Sequence, residues 1–534
     1  MIKGFRQIAV LTALSRILGM LRDMAFAYFL GAGGMMDAWA IAFKIPNLAR
    51  RLFGEGAAAS SLIPVYSEQL HRDPHKAKGL ALSVVTAVFL LLAAVTVLSE
   101  AGIWLYYHLA ATHSGAQLKL ALTGVMLPYM VLICVVAILG GILNTHRHFA
   151  APAAAPLVLN VFLIAALCVC GWGLGLGQRA QVFVASVAVV FAGLAQLAMQ
   201  LPPMSKHGIA LRPAWDFRSE PFRRVIFLMG PMILGLTATQ ISTLINDFTA
   251  LWLSGSAEKG ASFTLLGHVV RYPVWEGAVS HLFYAQRLYQ LPLGVFGVSL
   301  ATAIFPQMSI DAAKRDYDAL RKSVAGGLRG AVFIALPATV GLLLVSRSLV
   351  TVILERGEFT PADTAKTAFT LSFYALGLTG FFAQQVLTRA FYALQESRVP
   401  ARTAVIAVCA SVVLNLVLIW PLGSGGLAMA TSICSYAQVV MLILALRRRL
   451  GAGVLAGMGR ALRDTAIATL VMAAAVLGVG RLVDRPASLI GLLLAVAAGT
   501  AAYLIAASGL RIEMLSLFLG RKERAPNPSA GGTL

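Results

Sequence analysis

Charge is scarce in this chain of 534 residues: only 12% are Asp, Glu, Lys or Arg, and 22 acids stand against 43 bases. With 59% hydrophobic residues and a mean hydropathy of +0.81, that scarcity excludes a water-soluble domain, whose core could not hold so much apolar surface. Cysteine is scarce too. Cys134, Cys168, Cys170, Cys409 and Cys434 lie inside apolar runs without CxxC spacing or nearby His pairs, so they read as packing residues and no metal site is expected. His146 and His148 flank Arg147 in a short loop, but no further ligand accompanies them. Absence of a GxxxxGK[ST] loop, an HExxH helix and a GxSxG turn argues against an ATP-driven pump and the common hydrolases.

What is present is a series of long apolar runs. A bilayer core of about 30 Å needs roughly 20 apolar residues per helix, and lipid-exposed backbone must satisfy its own hydrogen bonds. Length and flanking charge place spans near 7–30, 36–66, 80–108, 118–143, 151–175, 180–203, 223–254, 280–309, 326–355, 363–395, 400–422, 424–446, 460–481 and 487–510. The expected fold class is all-α integral membrane, with about fourteen transmembrane helices. Arg16, Arg22 and Asp23 interrupt the first run and no A-x-A site follows, so it reads as a retained span rather than a secretory signal.

A net charge of +21 would suggest nucleic acid in a soluble protein, but no basic stripe interleaved with aromatics occurs and no nucleic-acid partner is expected. Instead about 26 Lys/Arg fall in one set of alternate loops and about 8 in the other, which predicts both termini in the cytoplasm. The longest outer loop, Ser254 to Ser280, carries Lys259, Arg271, Trp275 and Glu276 and is expected to rest at the interface as a short amphipathic or aromatic-anchored segment.

Two patterns recur. "SLIPVYSE" around Pro64 returns as "AIFPQMSI" around Pro306, and "HRHFAAPA" before Pro152 returns loosely as "QESRVPAR" before Pro400. The offsets, about 242 and about 248 residues, predict a duplicated six-helix unit with the copies related by an axis along the membrane normal. The expected organisation is an amino-terminal lobe at 1–205, a cytoplasmic linker at 206–222, a carboxy-terminal lobe at 223–448, two extra helices within 459–510 and a polar, disordered tail at 511–534.

The informative residues are the ionisable ones inside these runs, since a charge at mid-span costs about 2.5–3.5 kcal/mol on insertion scales and must face a protein cavity. The first span carries Arg16, Arg22 and Asp23, the second Asp37, Lys44, Arg50, Arg51 and Glu55, and the eighth Arg287. At about 100° per residue, Asp37, Lys44, Arg51 and Glu55 fall within roughly 40° of one another, though Pro46 can kink that helix and blur the register. The structural alternative is that the charges pair among themselves and only hold the bundle together. Bases outnumber acids here, however, which points to a cationic cavity for an anion, and guanidinium forks match phosphate oxygens bidentately. Asp247 and Asn415 are further isolated polar residues, for which a cation site, a proton relay or a hydrogen bond to a neighbouring helix all stay open. The glycines and prolines of "FLGAGG", "KIPNL" and "LPLGVFG" read equally as close-packing points or hinges.

Residues 15–68, "SRILGMLRDMAFAYFLGAGGMMDAWAIAFKIPNLARRLFGEGAAASSLIPVYSE", closely resemble the opening of the MurJ/MviN lipid II flippases, and "YAQRLYQLPLGVFGVSLATAIFPQMS", residues 284–309, supports the match. The resemblance covers essentially the whole chain and places it in the multidrug/oligosaccharidyl-lipid/polysaccharide exporter superfamily. It implies a non-enzymatic carrier, without catalytic residues or cofactor, that moves undecaprenyl-diphosphate bearing the peptidoglycan disaccharide-pentapeptide to the outer leaflet by alternating access. Arg16, Arg22 and Arg287 match the family's essential cavity arginines, Asp37, Arg50, Arg51 and Glu55 match its charged second helix, and the last two spans match a groove for the prenyl tail. The chain departs from the family at Gln286 and Gln290, where many relatives carry acidic or Asn residues, so no acid-gated closure around Arg287 carries over. Asp247 and Asn415 resemble part of a sodium site, but no second acid stands near Ile419; membrane potential, protons and sodium all remain as drivers. Alternatives left by the residues themselves are an exporter of another polyprenyl-linked glycan or amphiphile, a membrane enzyme using Asp37 and Glu55 as acids, and a scaffold for the cell-wall synthesis machinery.

Overall fold

The computed structural model describes residues 2–53, 59–109, 114–265, 267–483 and 487–518. The chain is almost entirely helical, as its apolar runs require in lipid. In order the helices are α1 (Ile2–Leu30), α2 (Gly34–Ala49), α3 (Ala59–Arg72), α4 (Pro74–Leu109), α5 (Ser114–Thr145), α6 (Ala150–Cys168), α7 (Gln178–Lys206) and α8 (Glu220–Trp252). After the loop come α9 (Ala278–Pro292), α10 (Val298–Ala313), α11 (Tyr317–Leu354), α12 (Pro361–Leu376), α13 (Leu378–Ala393), α14 (Arg398–Leu422), α15 (Ser424–Leu450), α16 (Met458–Leu482), α17 (Leu489–Gly509) and the short α18 (Glu513–Phe518). Among the described residues, ten helical stretches are long and apolar enough to cross a membrane. The other expected spans fall on α1, α2 with α3, α8, and α12 with α13, which are helical but charged, split or described only in part.

Several expected spans are interrupted, among them 151–175, where α6 gives way to a π-helical turn at Val169–Gly173. Within 36–66, α2 ends at Ala49 and residues 50–53 form a wider π-helical turn, so the 100° spacing that aligned Asp37 with Lys44 lapses before Arg51; Glu55 lies outside the described residues. Pro46, which cannot donate to the preceding turn, stands just ahead of this change. Within 280–309, Pro292 leads into a π-helical turn at Leu293–Gly297. Within 363–395 the helix breaks at Gly377, where a Cβ would meet the Ser432 side chain at 2.4 Å.

The loop after α8 is built of short strands. It forms strand β1 (Ser254–Gly255) parallel to β4 (Val274–Trp275) and a hairpin of β2 (Ser262–Leu265) with β3 (His268–Arg271), with Phe263 opposite Val270. The physical reason is local: β-branched and aromatic residues flank a turn containing Gly267 at φ +83°, a hairpin pattern rather than a helical one.

Two compact units emerge, one comprising 1–283 with 354–363, the other 284–353 with 364–534. In the first, α1 lies on α6, α2 and α7 on α5, and α3 on α4 and α8. Lipid is as apolar as leucine, so close contact rather than hydrophobic burial holds such helices together. Trp39 of α2 is fully buried between Phe26 (ring centroids 4.0 Å apart) and Phe43 (4.7 Å, stacked), and Gly193 of α7 lies directly beneath Tyr129. In the second unit α13 contacts α10 and α15, α14 lies along α15, and α16 pairs with α17. The helices keep large apolar side chains on their outer faces, including Phe89, Val97 and Leu98 on α4 and Leu470 and Leu477 on α16, the surface a bilayer covers.

Candidate functional site

The charged residues of α1 and α2 lie in the first unit, and the inner ones have partners. Arg22 and Asp23 are both buried: the guanidinium donates through Nε (3.0 Å) and Nη2 (2.6 Å) to Asp23 Oδ1, and through Nη1 to Asn160 Oδ1 on α6 (3.0 Å). Asn160 in turn donates to the Ser15 carbonyl of α1 at 3.3 Å. One fork thus fixes α1 to α6 in a medium where an unpaired guanidinium would be untenable. Arg16, toward the amino end of α1, is exposed.

On α2 the two aligned residues go to different neighbours. Asp37 is buried and its carboxylate accepts from Gly277 N (2.7 Å), Ser280 N (2.7 Å) and Ser280 Oγ (2.5 Å). These groups open α9, so a carboxylate of α2 takes up helix-terminal N–H groups and the positive end of the α9 dipole. Close approach makes the contact possible. Gly277 has φ +95°, and a Cβ there would lie 2.0 Å from the Ala32 carbonyl oxygen. At the same end of α1, Glu358 N donates to the Tyr28 carbonyl at 2.9 Å, and the buried His281 stands 3.9 Å from Asp363.

Lys44, ahead of the π-helical segment, forms an ion pair with the buried Asp247 of α8. Arg50 donates to Asn47 Oδ1 at 3.2 Å, and Arg51 donates through Nη1 to Gln240 Oε1 of α8 at 2.7 Å. Arg287 lies half-buried in the second unit, where two residues further along α9 Tyr289 stacks on Tyr374 (4.8 Å) and Phe381 (5.4 Å). Gln286 donates to the Tyr374 hydroxyl at 3.0 Å. Asn415 of α14 is fully buried.

Sequence reasoning therefore found Arg22, Asp37, Lys44 and Asp247 but not the partners Asn160 and Ser280. Asn160 carries the signal used for Asn415, an amide alone in an apolar run; Ser280 carries none. Toward the other end of the first unit, His146 bonds to the Tyr66 hydroxyl (2.7 Å) and stacks on His207 (4.5 Å), rather than pairing with His148. Burial, His207 and Lys78 together lower its pKa below the ordinary 6.5.

Fixed guanidinium and ammonium groups with neutral or paired surroundings can hold an anion, and nothing in the arrangement requires covalent chemistry. Charged residues held inside a polytopic helical bundle suit a membrane transporter. Solved structures share the fold: a "Lipid II flippase MurJ, inward closed conformation" aligns with a TM-score of 0.76 at 23% identity, covering 96% of this chain and 99% of that one. An inward-facing multidrug resistance MATE family transporter of the MOP superfamily aligns at 0.63 with 15% identity, over 82% and 95% of the two chains. In sequence, the family described as "Lipid II flippase MurJ" matches residues 26–497, and the chain belongs to that family. A probable lipid II flippase MurJ of Vibrio cholerae is 32% identical over 82% of this chain and 81% of its own. A lipid II flippase MurJ of Burkholderia cenocepacia is 31% identical over 82% of each.

Proposed function

We propose that this chain is a lipid II flippase that carries undecaprenyl-diphosphate-linked disaccharide-pentapeptide from the inner to the outer leaflet of the bacterial cytoplasmic membrane. Membership of the MurJ family carries the reading, and the charged residues of α1 and α2 supply the candidate anion ligands. The diphosphate binds among Arg16, Arg22, Arg50, Arg51 and Arg287, with Asp37 and Glu55 setting the shape and charge of that cavity. Both termini lie in the cytoplasm, residues 1–205 and 223–448 form two lobes that rock about the substrate, and α16 and α17 hold the prenyl tail.

In this orientation Asp37 and the start of α9 lie at the outer end of the first unit, where the carboxylate takes up the helix-terminal N–H groups. No bond of the substrate is made or broken, so the chain acts as a carrier and not as an enzyme, without a cofactor. Components of the cell-wall synthesis machinery are its partners in delivering substrate and consuming product.

The test is depletion of the protein in its own host, followed by assay of lipid II with an external enzyme that cleaves it. Lipid II is expected to accumulate protected inside, with release restored by wild type and not by Arg22→Ala. Accessible lipid II, with another polyprenyl-linked glycan accumulating instead, would overturn the substrate.

A further inference from the structure

Helices α3, α4, α5 and α7 come together in the first unit, and at the end away from Asp37 they bring three basic side chains to one place. The fully buried Tyr66 of α3 bonds through its hydroxyl to His146 Nε2 (2.7 Å), which fixes the ring and leaves Nδ1 for a further contact. His207 stacks on that ring (centroids 4.5 Å apart), and Lys78 of α4 lies against the next residue, its Nζ 2.7 Å from where a Cβ on Gly208 would stand. His207 and Lys78 are the charged groups that act on His146, and among the described residues no carboxylate joins them. Arg147 and His148, on the same turn, add no acid. The acids of α3 and of the start of α4 are engaged elsewhere. Glu68 pairs with Arg72 (3.0 Å) and Arg224 (2.9 Å), and Asp73 accepts from the amides of His75 (3.0 Å) and Lys76 (3.2 Å). Cations near the carboxyl end of a helix often serve to complete that end. Here the ends complete themselves. After α5, Arg147 at φ +59° lets His148 N donate to the Leu143 carbonyl at 2.9 Å; after α7, Gly208 at φ +68° lets Ile209 N donate to the Met204 carbonyl at 3.0 Å.

We propose that Lys78, His146 and His207 form a binding site for a phosphate-class anion, built without the arginines of α1 and α2. An ammonium and two imidazoles offer N–H donors and, once the rings are protonated, up to three positive charges to one oxyanion. Bringing like charges together is unfavourable until an anion lies between them, so ligand and protons bind together. Two sources carry that chemistry: a free phosphate or phosphate ester, and the head group of an anionic lipid where the helix ends meet the bilayer surface. Which side of the membrane the site faces rests on the orientation proposed above; the site itself does not.

The experiment follows thermal unfolding of the full chain in phosphatidylcholine nanodiscs. Sulfate is the probe, because its charge stays constant where imidazoles titrate, and chloride at equal ionic strength is the reference. A specific site gives a saturable rise in melting temperature, from which an apparent affinity follows. Protonating one imidazole of ordinary pKa near 6.5 is expected to tighten that affinity about tenfold from about pH 7.5 to about pH 5.5. Lys78→Gln and His207→Gln are each expected to weaken it about tenfold, and Lys78→Arg to keep it. No saturable rise in wild type would overturn the site. So would an unchanged sulfate response in both glutamine variants with lower melting in chloride, since the cations would then serve only the helix ends. His207→Gln and Lys78→Arg keep the test decisive should Lys78→Gln fail to fold. Phosphatidylglycerol in the nanodiscs separates the sources: a sulfate response lost in wild type assigns the site to a lipid head group, and one retained assigns it to a free phosphate. Flipping is not read, so failure of the flippase reading leaves the result standing.

Discussion

At the scale of single residues, the guanidinium of Arg22 is held by two acceptors before any substrate arrives, Asp23 on its own helix and Asn160 on α6. Removing one partner of a buried ion pair leaves the other charged and dry, at a cost of about 3–5 kcal/mol. Arg22→Ala is therefore expected to lower thermal stability in detergent as well as complementation, and Arg22→Ala with Asp23→Ala to recover stability without recovering growth. Thermal shift and growth in a depleted host, measured on both variants, separate the two effects; recovery of growth in the double variant would mean that Arg22 serves only the bundle. His146 gives a pH dependence outside the spans. Its folded pKa lies below the unfolded value near 6.5, so the unfolded chain binds the proton more readily, and the stability present above 6.5 is lost as pH falls through the folded pKa. Melting temperature is expected to drop on acidification below 6.5 and to drop less in His146→Gln; equal slopes for the two proteins would contradict this.

At the scale of elements, the contact between α2 and the start of α9 depends on Gly277. Its φ of +95° is strained for other residues by about 1–3 kcal/mol, and a Cβ would press on the Ala32 carbonyl. Gly277→Ala is expected to reduce folded yield sharply in size-exclusion profiles, whereas Gly33→Ala, with nothing within 4 Å of the added methyl, leaves it near wild type. How much of this was legible in the sequence varies by element. Helices such as α4, α5 and α17 follow from twenty or more apolar residues, because lipid permits little else. The break of α2 was legible only as a proline, since a change to π-helical winding depends on neighbours the periodicity does not contain. The hairpin after α8 was missed because Trp and Arg were weighed as interfacial anchors while the β-branched alternation around Gly267 was not. The ionisable residues of the site were legible from the cost of burying charge, but Ser280 and the α9 backbone amides that hold Asp37 come from a helix terminus some 240 positions away, which no local pattern announces.

At the scale of the whole molecule, a carrier that binds a diphosphate must return empty with its own charge uncompensated. Moving one elementary charge through 100 mV corresponds to about 2.3 kcal/mol, a bias of roughly 50-fold, so the membrane potential can order the cycle without a coupling ion. Asp247, the acid that would ligate sodium, is already paired with Lys44, and a cation entering there must displace that ammonium. Flipping in energised vesicles is accordingly expected to persist when choline replaces sodium, and to slow severalfold when a potassium ionophore clamps the potential to zero at constant pH. Arrest on sodium removal, reproduced by Asp247→Asn in sodium, would assign the coupling to that carboxylate and mean that Lys44 leaves it during transport.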